Sequence, residues 1–134
     1  MDRTRTALLA YGGYYALTGV APFVSRRAFE AVTGPKREWW LVQTVGVAVT
    51  AVGAGVTSAA ARDRVTPEVK GIATGCAVGL ATIDVVYVSR RRIAPTYLAD
   101  AAVQIALLAA LWGPGQAGAQ APWRRVSRSA STLE

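Results

Sequence analysis

WWLVQTVGVAVTAVGAGVTSAAA, residues 39–61, contains no acidic or basic side chain. A bilayer core of roughly 30 Å takes about 20 predominantly apolar residues when the chain is helical. The stretch meets that length, and its opening Trp39–Trp40 pair suits the headgroup level, where amphipathic rings settle. A helix of a soluble bundle would carry a polar stripe along one side. Here the residues opposite the small ones are Val, Leu, Ala and Trp, side chains that suit lipid.

Three further runs resemble it: Ala7–Val24, Gly71–Val88 and Thr96–Trp112. Of 15 basic and 8 acidic side chains in the 134 residues, only Asp84 and Asp100 fall inside the four runs. The sequence therefore predicts an all-α, integral membrane, antiparallel four-helix bundle with spans at about 7–24, 39–61, 71–88 and 96–112. The links between runs are short, which favours up-down-up-down packing. Between the first two runs, residues 25–33 read as an interfacial helix. Ala28, Phe29 and Val32 would face the membrane, and Arg26, Arg27 and Glu30 would face water. Gly34–Pro35 ends it. Thr66 is placed to cap the third span, with Pro67 at its first position. The tail, 113–134, is rich in Gly, Ala, Ser and Arg, a composition that predicts disorder.

The formal net charge of +7 does not indicate nucleic-acid binding, because the basic residues cluster at span ends and form no stripe interleaved with aromatics. Such clusters suit anionic lipid headgroups. The absence of histidine removes imidazole bases and the usual zinc sites. Cys76 is the single cysteine, so neither an intrachain disulfide nor a CxxC pair can form. No cofactor is expected. The N-terminal run is long, is broken by tyrosines and lacks an A-x-A site, and it reads as a retained span in a multi-pass protein of the inner (plasma) membrane.

Orientation is nearly balanced. The N-terminus, second loop and tail carry Arg3, Arg5, Arg62, Arg64, Lys70, Arg124, Arg125 and Arg128, against Arg26, Arg27, Lys36, Arg37, Arg90, Arg91 and Arg92 on the other side. Discounting the tail leans toward cytoplasmic first and third loops. A dual-topology protein would show the same balance.

Small residues form two stripes. Gln43, Gly46, Thr50, Gly53 and Thr57 share one face of the second span, and Gly71, Gly75 and Gly79 share one face of the third. Small residues let helix backbones approach in lipid, so the stripes predict a close pair of second and third spans, or a homodimer. A pore lining is the alternative for the first stripe.

The residues with most functional content form a layer. An acidic side chain at membrane depth costs about 2.5–3.5 kcal/mol on insertion scales and marks a functional site by default. Asp84 lies five residues before Ser89, and Asp100 five after Pro95. At about 1.5 Å per residue both sit roughly 6–9 Å below one surface. Gln43, Thr18, Tyr15, Tyr87 and Gln104 reach similar levels, with Tyr14 beside Tyr15. Together they predict an inward polar pocket that engages a small polar or cationic ligand or an ion. A structural role satisfies the same residues if Arg91 or Arg92 reaches back to the aspartates.

Other classes fit less well. No first-span glutamate exists for a small multidrug exporter, no GxGD for an aspartyl protease, and no cysteine pair for a quinone-coupled oxidoreductase. An accessory subunit packing through its Gly/Ala faces is the main alternative, and an enzyme acting on a lipid-like substrate the second. The elements FEAVTGPK, WWLVQTVG and DVVYVSRRRIAPTYLADA resemble those of small bacterial four-span membrane proteins, broadly the DoxX-like group. That resemblance implies a four-helix membrane bundle and brings no catalytic residues with it.

Overall fold

The computed structural model describes residues 2–113, and every described element is a helix: α1 (Arg3–Val24), α2 (Arg26–Thr33), α3 (Trp39–Ala61), α4 (Pro67–Ser89) and α5 (Tyr97–Trp112). Helices α1, α3 and α4 are each long and apolar enough to cross a membrane. At 16 residues, α5 reaches about 24 Å, somewhat less than a bilayer core. The expected disordered tail lies outside the described residues from 114 onward.

Local chemistry sets the boundaries. The Asp2 carboxylate accepts from the Thr4 N–H and starts α1 four residues earlier than the apolar run. Thr66 accepts from Val69 N–H, with Pro67 at the first turn of α4. Both helices thus gain a polar first turn through side-chain caps, which satisfy otherwise orphaned backbone donors. Ser25 caps α2 through Ala28 N–H, and Gly34 ends it at φ +84°, a conformation glycine adopts without a Cβ clash. Helices α3 and α4 end alike. Arg64 N–H reaches Ala59 O (2.8 Å) and Arg92 N–H reaches Tyr87 O (2.9 Å). Asp63 and Arg91 stand between at φ 54° and 55°. This is the Schellman arrangement, with a non-glycine in the left-handed position.

The packing order corrects one expectation. The α3 stripe does not meet α4; it meets α1. A Cβ added at Gly53 would stand 2.6 Å from Ala16 N and 2.8 Å from Gly12 O, and one at Gly46 2.6 Å from Gly19 O. Gly12 and Gly19 are seven apart, as are Gly46 and Gly53, so the antiparallel pair meets glycine to glycine twice. The α4 glycines face away: a Cβ at Gly71, Gly75 or Gly79 meets nothing within 4 Å. Instead α4 buries Ala73, Ala77, Ala81 and Asp84 and packs chiefly on α5.

The core joins Leu8, Tyr11 and Tyr15 of α1 with Val56 and Ala60 of α3, Ala73 and Ala77 of α4, and Leu111 of α5. Most of these lie toward the end that holds the α1 N-terminus. There Trp112 Nε1 donates to Thr74 Oγ1 (2.9 Å), and the Lys70 ammonium sits 3.9 Å from the Trp112 ring centre. Lys70, read from sequence as a loop charge, is buried in the first turn of α4. The other end is not filled.

Candidate functional site

At that unfilled end a cavity of about 890 Å³ opens among α1, α3, α4 and α5, with α2 lying along it. Ala28, Phe29 and Val32 of α2 line it, the residues expected on its apolar side. Thr96 does not cap α5; its hydroxyl donates to Val32 O (2.7 Å) and ties α2 to α5. Within α2, Glu30 accepts from Arg26 Nε (3.2 Å) and, beyond the helix end, from Lys36 N–H (3.0 Å). The Lys36 N–H, and then Arg26, hold the Glu30 carboxyl below the usual glutamate range.

Four polar side chains form the cavity floor. Asp100 stands in the first turn of α5, where the positive end of the helix dipole favours a carboxylate. Tyr14 Oη donates to its Oδ1. Gln104, one turn along the same helix, donates from Nε2 to its Oδ2 (3.3 Å). Gln104 is held in turn, because Tyr15 Oη donates to its Oε1 (2.7 Å), and both Tyr15 and Gln104 are buried. Both Asp100 oxygens therefore have donors.

Asp84 has none of this support. It is 5% exposed, it lies toward the C-terminal end of α4, and its Oδ2 is buried with no hydrogen-bond partner. Asp100 bears on it most, within side-chain hydrogen-bond reach, and Tyr14 lies near enough to interact with both carboxyls. Two carboxyls in contact share one proton rather than both ionise, which leaves one negative charge between them and the Asp84 Oδ2 still without a partner among the described residues. Arginine does not resolve the matter. Among the described residues the ion pairs are Arg5–Asp63 (3.1 Å) and Arg26–Glu30 (3.2 Å). The left-handed turn at Arg91 ends α4 and reverses the chain, and Arg90, Arg91 and Arg92 are exposed.

The predicted layer is brought together in part. Asp84, Asp100, Gln104, Tyr15 and Thr18 line the cavity, although the Thr18 hydroxyl is spent on Tyr14 O (2.9 Å) and Tyr15 O (3.2 Å) of its own helix. Gln43 is not among the lining residues. Val42, Val45 and Val49 face the cavity, and at about 100° per residue Gln43 falls across the glycine seam from them. Tyr87 is also outside, because the buried line of α4 passes through Ala81 and Asp84 and leaves Tyr87 43% exposed. Tyr14 supplies a floor contact that the layer named only as a neighbour of Tyr15. Phe29 and Tyr97 add aromatic walls. A signal for Tyr14 was present in the sequence: adjacent tyrosines in a helix point about 100° apart, so the pair can serve two acceptors.

Among the described residues no group of three or more His, Cys, Asp or Glu side chains could hold an ion. Calcium takes six to eight oxygens and magnesium near-ideal octahedral geometry. The comparisons add no relative: no family model, curated protein or solved structure matches the chain.

Proposed function

We propose that the chain is a multi-pass protein of the plasma membrane whose four long helices form an antiparallel bundle, with α5 as the fourth and shortest span. Its role is to bind a small cationic ligand in the cavity beneath α2, and to carry it if the closed end can also open. The observation that carries this reading is Asp84 Oδ2, buried without a hydrogen-bond partner beside Asp100 at the floor of a cavity that no basic side chain among the described residues lines. A membrane protein keeps an uncompensated acidic group at depth at a cost of several kcal/mol, and a bound cation offsets that cost.

The test is a panel of inorganic and organic cations added to the detergent-solubilised protein, with thermal unfolding as readout. A binding cation raises Tm by linkage. The expected result is a shift in the wild type that Asp84→Asn abolishes. A panel in which no cation distinguishes the two proteins would end the reading.

A structural role for a second copy of the chain has one observation in its favour: Gly71, Gly75 and Gly79 present a bare outward stripe, and such stripes support close helix contact in lipid. Gly75→Leu with Gly79→Leu would then abolish cross-linking between copies and leave cation binding intact.

A further inference from the structure

We infer that the ligand is a monovalent amphipathic ammonium: one cationic nitrogen bearing N–H donors and an apolar body, drawn in from the lipid. This rests on the cation-binding reading above and specifies its chemistry. The unmet polar demand is small and local. Asp100 already receives Tyr14 Oη and Gln104 Nε2, which leaves Asp84 Oδ2 as the acceptor without a partner among the described residues. One ammonium group supplies both the charge and the N–H that Asp84 lacks.

The space around that acceptor is far larger than an ammonium. A volume of about 890 Å³ falls within the range of pockets for drug-sized molecules. Its walls are mostly apolar, with Val20, Leu41, Val45, Val49, Leu80 and Val103 among them. A bare ion or a small hydrated amine would leave those walls unfilled, whereas an aliphatic or aromatic body buries them at about 25 cal/mol per Å². The rings of Tyr14 and Phe29 also line the space and can take a cation against their faces, while the Tyr97 ring already has Lys36 Nζ 4.9 Å from its centre. Among the described residues no lysine or arginine lines it.

The rim indicates the route of entry. Leu17 and Val24 line the cavity and are 74% and 78% exposed, and Leu41 and Val45 are about half exposed. On a helix that crosses the bilayer, such side chains face lipid. The mouth is therefore greasy, and a molecule already partitioned into the membrane reaches Asp84 without crossing water.

The full chain in zwitterionic-lipid nanodiscs provides the test, with empty discs as the partition control. Binding is measured for phenethylammonium, methylammonium, neutral phenethyl alcohol, Na⁺ and Mg²⁺. Phenethylammonium is expected to bind at least about tenfold more tightly than methylammonium, a difference of about 1.4 kcal/mol. Asp84→Asn should weaken phenethylammonium about tenfold or more, and Asp84→Glu should retain it. The alcohol should not exceed the empty-disc control. Equal or tighter Asp84-dependent binding of methylammonium, Na⁺ or Mg²⁺ would overturn the amphipathic assignment and leave the cation site standing. Asp84-independent binding of every probe, in variants that keep the wild-type helical signal, would overturn both.

Discussion

The two sides of α1 solve opposite problems. Toward α3, Gly12 and Gly19 let backbone touch backbone, with polar contacts from Arg5 to Ala61 O and Asp63 at one end of the pair. Toward α5, Tyr14 and Tyr15 extend long side chains to Asp100 and Gln104, and the helices stand apart far enough to enclose a cavity. In lipid the first side is held by close van der Waals packing, and the second by a few hydrogen bonds whose alternative is an unsatisfied group. The seam tolerates no added volume. The polar side tolerates volume and is sensitive to chemistry.

That contrast ranks the variants. Gly53→Leu should cost the most, about 3 kcal/mol or more, because its Cβ meets Ala16 N and Gly12 O, backbone atoms that cannot swing aside. Loss of a monodisperse folded peak on size exclusion checks this; a stable variant would show that α1 and α3 can separate freely. Asp84→Asn should act in the opposite sense and raise stability by about 1–3 kcal/mol in the ligand-free protein, since it removes charge beside Asp100 at a buried site whose Oδ2 has no partner. A fall in Tm would mean that Asp84 has a partner that stabilises it.

Smaller effects separate the stacked rings Tyr11 and Tyr15, whose centres are 4.1 Å apart. Tyr15→Phe removes the donor to Gln104 and should cost about 1 kcal/mol. Tyr11 Oη is buried with no hydrogen-bond partner, so Tyr11→Phe should be neutral or slightly stabilising. Chemical denaturation of the pair in one detergent measures both, and a reversed order would reassign the hydrogen bond.

The smallest effect belongs to α2. Glu30 is held below the usual glutamate range by Lys36 N–H and then by Arg26. A carboxyl whose folded value is depressed adds stability above its unfolded value and loses it as pH falls through the folded one. Amide exchange in residues 28–33, corrected for intrinsic rate, should therefore accelerate below the ordinary glutamate range and be flat above it. No change on acidification would show that Thr96–Val32 alone holds α2.

How much of this was legible follows from which information is local. The uncharged run at 39–61, the Thr66–Pro67 cap and the Ser25–Gly34 limits of α2 are properties of short segments, and reading them required no partner. The depth of Asp84 and Asp100 followed from counting residues to the chain reversal. The choice of partner for the α3 stripe did not. The seven-residue spacing shared by Gly12–Gly19 and Gly46–Gly53 was in the sequence, but the three glycines of α4 offered an equally regular stripe, and periodicity does not say which stripes meet. Rotation was equally hidden: Gln43 and Tyr87 lie at suitable depths yet point away from the cavity, because depth is set along a helix axis and facing is set by its neighbours.

By itself, then, the sequence indicated a helical chain of four apolar runs with an aspartate in each of the last two, and three of those runs form helices long and apolar enough to cross a membrane. Hydropathy, capping and the rise per residue are additive along the chain, so they survive without coordinates. Only the tertiary structure decided that α1 spends its glycines on α3 and its tyrosines on α5. It also decided that the left-handed turn at Arg91 keeps the arginines out, and that Asp100 is supplied with donors while Asp84 is not. These outcomes depend on which helix faces meet, and that is settled by the packing of all the helices together.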